Sequence, residues 1–246
     1  MVDSFAGIIL YYQPNLYIVE SLSPASSVMH SYKYGWQQMK KFFLPLFLVM
    51  LVVIVAEIPA GLAEIEVTDD FETEPFTMYH VIGMLYWLLV LPVFQYGAHY
   101  INLKAARNEE FEVKEMFHGF SKYLNVVLAN LLMLALVGMG LVVFIIPGII
   151  ILCRLAFVPY LVMDRNLGPV EAVQESWKLS RGKGWTVFGM AILAIPIIIA
   201  GFLLVFVGVI FAAMWIFCSF AGLYYAISQE HSPEAPTDTE IQPAGI

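Results

Sequence analysis

From Thr186 to Ser228 the chain carries no charged residue. An α-helix rises about 1.5 Å per residue and the hydrocarbon core of a bilayer is about 30 Å thick, so roughly 20 residues make one crossing. This stretch is too long for one spanning helix and divides into two, with the break expected near Val207-Gly208. The same arithmetic gives six spans, at approximately 42–63, 78–103, 124–146, 148–163, 185–204 and 207–228. Pro147-Gly148 separates the short fourth span from the third, because a proline ends an uninterrupted helical ladder. Tight hairpins are therefore expected between spans 3 and 4 and between spans 5 and 6. Composition agrees: 60% of residues are hydrophobic and 13% charged, against about 45–50% and 25% in soluble domains. The expected fold class is all-α, a polytopic membrane domain of six transmembrane helices over 28–228. An N-terminal interfacial or partner-facing segment, 1–27, precedes it, and a disordered acidic tail, 229–246, follows.

The net charge of -8 hides an uneven distribution. With six spans and both termini on one side, Lys33, Lys40, Lys41, Lys104, Arg107, Lys114, Lys122, Arg165, Lys178, Arg181 and Lys183 share one face. The opposite face carries no basic residue, and its one substantial loop holds Glu64, Glu66, Asp69, Asp70, Glu72 and Glu74. By the positive-inside rule the basic face is cytoplasmic. Met1-Val2-Asp3-Ser4 lacks a basic n-region, so no cleaved signal peptide is expected.

Three amphipathic elbow helices are expected on the basic face. Their apolar stripes are Val28, Tyr32, Trp36 and Met39; Val113, Met116, Phe117 and Phe120; and Val170, Val173 and Trp177. Each is followed by basic residues and an aromatic at the mouth of a span, a pattern consistent with three copies of elbow plus hairpin. Gly168-Pro169 and Gly182 stand where a helix start and stop belong. Trp36, Lys40, Lys41, Phe117, Lys122, Trp177, Lys178, Arg181, Lys183 and Trp185 are candidate interfacial contacts to lipid or a partner, or anchors that set helix depth.

The run Pro147-Gly148-Ile149-Ile150, Arg154-Leu155, Pro159 to Asp164, Gly168-Pro169-Val170-Glu171-Ala172 and Glu175 to Ser180 resembles a large family of poorly characterised bacterial six-span membrane proteins. That family is related to the membrane domain fused to some glycerophosphodiester phosphodiesterases. Phe111 to Phe120 resembles its first cytoplasmic elbow, and the similarity is clearest over 104–190. The resemblance implies a multi-pass inner-membrane protein without an established activity and with no catalytic residues. The phosphodiesterase chemistry belongs to a separate soluble domain for which this chain has no room.

Enzyme motifs are missing from the sequence: there is no His-Glu-x-x-His, no Gly-x-Ser-x-Gly and no phosphate-cradling Gly-rich loop. His80 and His99 lie near opposite ends of the second span, about 28 Å apart, and cannot share one ion or haem. Cys153 and Cys218 lie in different spans without a spacing motif. The acidic loop lacks the regular spacing of a calcium site. No catalytic residue, metal or cofactor is assigned, and no nucleic acid is expected as a partner.

Arg154 is the one charge of the basic set that falls inside a span. Counted from Pro147 it lies about 9–10 Å below the outer boundary, and Glu57 lies at a similar depth. A charge in hydrocarbon costs roughly 2.5 kcal/mol or more, so it faces protein, water or an opposite charge. Arg154 and Glu57 thus form a candidate intramembrane ion pair, or Arg154 serves a ligand site. Two functional classes follow. One is a non-catalytic scaffold or accessory subunit contacting membrane lipids and a membrane-protein partner or a second copy. The other is a transporter or channel with Arg154 in the pathway, for which Glu57, Gln95, Asn102, Asn130 and Arg154 make a thin polar route.

Overall fold

The structure is a computed structural model that describes residues 26–64 and 78–231. Most of the N-terminal segment, the acidic loop from 65 onward and the tail beyond 231 lie outside these residues. The described chain is helical, without a strand, and holds six helices long and apolar enough to cross a membrane: Phe43–Gly61, His80–Ala106, Tyr123–Val143, Ile145–Asp164, Gly184–Leu203 and Gly208–Glu230. They are spans 1 to 6 below. The protein is an all-α polytopic membrane protein.

Both tight hairpins form, each about three residues earlier than expected. Helix Tyr123–Val143 ends at Phe144, which is extended at φ -162° and ψ 152°, and helix Ile145–Leu155 begins at once. Pro147 sits in the first turn of the new helix, where its missing N–H would have had no intrahelical partner. The other turn is Leu204, between helices Gly184–Leu203 and Val205–Glu230. Glycines straddle both turns. A Cβ on Gly140 would lie 2.9 Å from the Cα of Gly148, and one on Gly201 would lie 2.8 Å from the carbonyl oxygen of Gly208. The turns fall midway between the glycines that let the two backbones touch, not at the proline. The Phe144 N–H donates to the Gly140 carbonyl at 3.1 Å, and its own carbonyl accepts from Gly148 at 3.3 Å.

Spans 2 and 4 are each broken into two helices. The first breaks at Val90, between Met78–Leu89 and Leu91–Ala106, and the second at Ala156-Phe157, between Ile145–Leu155 and Val158–Asp164. In both, a proline, Pro92 or Pro159, occupies the opening turn of the second helix. The second halves pack together with the end of span 6 around fully buried Val93, Tyr96, Leu103, Tyr160, Leu161 and Tyr224. The core therefore lies in the basic half of the membrane domain.

The elbows bury only part of their apolar stripes: Tyr32, Met39 and Met116 are buried, whereas Trp36, Phe117, Phe120, Val170 and Trp177 are exposed. The first, Val28–Lys41, buries Ser31, Tyr32, Tyr34, Gly35, Gln38 and Met39, and leaves Trp36 42% exposed. It is wedged into the bundle: the Trp215 indole donates to the Tyr32 carbonyl at 2.8 Å, the Tyr32 hydroxyl to the Met190 carbonyl at 2.8 Å and the Tyr34 hydroxyl to the Ala106 carbonyl. The second is a 3-10 turn, Val113–Phe117, and one helical turn, His118–Ser121. The third, Pro169–Leu179, buries Ala172, Ser176 and Leu179, while Val170 and Trp177 are exposed. The packed faces combine small or hydroxyl residues, which allow close backbone approach, with the larger Tyr32, Tyr34, Met39 and Leu179.

The second and third elbows share local signals that the first lacks. Spans 2 and 4 end in Arg-Asn, with Asn108 at φ 58° and Asn166 at φ 53°, a left-handed stop that asparagine tolerates. Each following elbow then opens with a glutamate side chain accepting a backbone N–H three residues back, Glu115 from Glu112 at 3.1 Å and Glu171 from Gly168 at 3.2 Å.

Candidate functional site

Three polar residues of span 2 share one helix face, whereas Asn130 lies on span 3 and Arg154 on span 4. Gln95, His99 and Asn102 follow one another at i, i+4 and i+7 on helix Leu91–Ala106, a spacing that aligns them in a stripe. Together with Glu57 of span 1 they line a groove of about 390 Å³ between spans 1, 2 and 6, whose remaining walls include Leu46, Val53, Ile210 and Phe217. From Leu46 to Glu57 this groove runs about 16 Å along span 1. Asn102 accepts from the Cys218 thiol at 3.3 Å and donates to the Ala98 carbonyl at 2.8 Å, and His99 Nδ1 lies 3.2 Å from the Tyr160 hydroxyl. Those two are held by neighbouring helices. Glu57 is exposed, and no ion pair joins it to a described residue.

Arg154 is elsewhere, and the expected pair with Glu57 does not form. The Ser176 hydroxyl of the third elbow donates to the Arg154 carbonyl at 2.7 Å, and the guanidinium lies 5.7 Å from the centroid of the Trp177 ring. Arg154 thus lies level with the elbow on the basic face, whereas Glu57 is four residues from the opposite end of span 1. Counting down span 4 gave no sign of this, because what places Arg154 is the third elbow folding back against the middle of the span. Gly182, at φ 76°, turns the chain so that span 5 starts at Gly184 beside the guanidinium.

The candidate interfacial residues divide into two groups. Lys122 donates to the Met163 carbonyl at 2.8 Å, and burial pulls its pKa down. Lys183 reaches Ser26 at 2.5 Å and Glu230 at 3.0 Å, and Lys41 reaches Asn108 at 2.7 Å. These three clamp the ends of helices together. Phe117 packs with Phe94 and Phe120 and stays 45% exposed; Trp36 lies against Trp215 with Lys40 above its ring. Lys178 pairs with Glu175 at 3.5 Å, Arg181 is exposed and Trp185 is 83% exposed. This second group faces outward.

Comparisons with protein-family models, with curated proteins and with solved structures find no match for this chain. The resemblance to the six-span bacterial family accordingly rests on the residues of 104–190 alone.

A network that the sequence did not single out ties spans 2, 4 and 6. Arg107 holds Asp164 with two hydrogen bonds of 2.6 Å, and the Tyr224 hydroxyl donates to the same carboxylate at 3.2 Å. Burial alone would lower the Arg107 pKa, but Asp164 outweighs it and the net direction is upward. Arg107 and Asp164 stand just after and at the ends of spans 2 and 4, so spacing along the chain gave no sign of their meeting. Among the described residues no three of His, Cys, Asp or Glu converge as metal ligands would, and Cys153 and Cys218 are free and buried.

Proposed function

We propose that this protein is a non-catalytic subunit that holds a membrane complex together through the groove between spans 1, 2 and 6. Glu57 carries the proposal. A carboxylate on a lipid-facing groove wall without an ion-pair partner among the described residues is costly in hydrocarbon, and such groups are normally met by an opposite charge or by water. A transmembrane helix bearing a basic or amide side chain would fill the groove, whose length takes about three helical turns, and would pair with Glu57 and Gln95. That helix belongs to a partner or to a second copy.

The test is site-directed cross-linking from Ile54, inside the groove, in intact membranes, followed by mass spectrometry. One discrete protein adduct is expected, and Glu57→Lys should remove it by setting like charges together. Cross-linking to lipid alone, with the chain running as a monomer in mild detergent, would defeat the proposal.

A second reading, a pathway for a small solute, draws on a different observation: the polar stripe continues through His99 and Asn102 on span 2, which breaks at Val90 as span 4 does at Ala156-Phe157, and broken helices are a common setting for transport sites. The same groove separates the two. Cysteines at Ala98 and Ala213 should be shielded from a water-soluble thiol reagent if a helix fills the groove and reactive if water does.

We further propose that the basic face is cytoplasmic and the membrane a bacterial inner membrane, on the lysine and arginine asymmetry and the family resemblance. In a background lacking Cys153 and Cys218, a cysteine replacing Asp70 should react with an impermeant maleimide from outside intact cells, and one replacing Lys178 should react only after permeabilisation. The reverse pattern would invert the topology.

A further inference from the structure

We propose that the groove between spans 4 and 5 binds an anionic phospholipid of the leaflet on the basic side, with Arg154 as the ligand of its phosphate. The Arg154 Nη1 is wholly enclosed and makes no hydrogen bond to a described residue. A guanidinium is always charged and carries five N–H donors, and leaving such a donor unmet is expensive. No described carboxylate pairs with it: Glu175 is engaged by Arg165 and Lys178, and Glu230 by Lys183. The Trp177 face lies against the guanidinium, but a ring supplies no anion. The described residues leave the counter-charge to be supplied by a ligand.

The surroundings identify the ligand's other end. Arg154 stands in a cavity of about 410 Å³ whose further walls are apolar, chiefly Ile146, Ile149, Ile150, Trp185 and Phe188. Ile146, Ile150 and Trp185 are 72%, 52% and 83% exposed, so the groove opens sideways toward lipid. From Ile146 to Arg154 the wall rises about 12 Å along the helix. Charge lies at the basic face and hydrocarbon toward the midplane, which is the polarity of a lipid in that leaflet. A planar guanidinium forks onto two oxygens of a phosphate diester, and a tryptophan at the rim suits the headgroup level. Free phosphate would leave the isoleucine wall without a counterpart, and a zwitterionic lipid would bring its own cation.

The full chain, purified in mild detergent and stripped of lipid, would be titrated with phosphatidylglycerol, with phosphatidylcholine and with inorganic phosphate while its melting temperature is followed. Phosphatidylglycerol alone is expected to raise it. Arg154→Gln should weaken that binding about tenfold or more, and Arg154→Lys should keep part of it. Equal effects of the two lipids, saturation by inorganic phosphate at the same concentration, or an unchanged phosphatidylglycerol response in Arg154→Gln would overturn the proposal. Should Arg154→Gln not fold, quenching by phosphatidylglycerol brominated in its acyl chain decides. It should exceed quenching by brominated phosphatidylcholine in the native protein, and the excess should vanish in Trp185→Phe. Equal quenching by both lipids, or an excess that persists in Trp185→Phe, would overturn the assignment.

Discussion

Asp164→Ala should lower stability by about 3 kcal/mol, the low end of what breaking a buried pair costs when one charge is left behind. The Arg107 and Asp164 side chains are only 23% and 13% accessible, so the abandoned guanidinium cannot simply rehydrate. It would keep only the Tyr225 face, 5.9 Å from its centre, and an outlying contact to Glu109 at 4.0 Å. Tyr224 would lose its acceptor as well. Because the carboxylate fastens spans 2, 4 and 6 at one point, the loss should appear as a single cooperative drop in melting temperature in detergent. Removing both charges, Arg107→Met with Asp164→Leu, should restore much of the stability, since a well-packed apolar replacement of a buried pair is often neutral. A single variant as stable as the native protein would show that the pair is solvated in the membrane.

Gly35→Val should be comparably severe, for a steric reason. A Cβ at Gly35 would fall on Ser219, against its side chain and at 2.6 Å and 2.7 Å from its backbone nitrogen and Cα. No rotamer change relieves a collision with backbone, so the first elbow must lift from span 6. Overpacking of this kind costs about 1–3 kcal/mol, and each strained hydrogen bond from Tyr32, Tyr34 and Trp215 adds about 1 kcal/mol. The expected result is loss of the monodisperse species on size-exclusion chromatography. Gly138→Ala is the matched control. Nothing lies within 4 Å of a Cβ there, and the gain in helix propensity of about 1 kcal/mol should leave the protein as stable or slightly more so. If Gly35→Val behaved like Gly138→Ala, the elbow would be an interfacial anchor and not a member of the bundle.

These two sites mark where the sequence could and could not be read. Span number follows from hydropathy and length, which act locally, and the six spans stand where those quantities put them. Turn positions depend on which residues let two helices touch, and the pairs Gly140 with Gly148 and Gly201 with Gly208 were a more informative signal than Pro147. The elbow stripes told only part of the packing: Tyr32, Met39 and Met116 are buried, but an apolar stripe marks what avoids water, whereas Gly35, Ala172 and Ser176 mark where backbones approach. Gln95, His99 and Asn102 were each visible, and their i, i+4, i+7 spacing would have joined them. Their meeting with Glu57 is tertiary and left no trace along the chain. Arg154 was visible as a charge within a span, but its place beside Ser176 and Trp177 depends on the third elbow folding back against span 4, which is tertiary.

The turns at Phe144 and Leu204 reach beyond folding. Each is one residue long, is flanked by apolar side chains such as Val142, Ile146 and Leu203 that are 89%, 72% and 82% exposed, and at Phe144 both backbone polar groups are already bonded. Such a turn asks nothing of water and can stay beneath the headgroups. To a protease, an antibody or a glycan-adding enzyme on that side of the membrane, the described hairpins offer no handle.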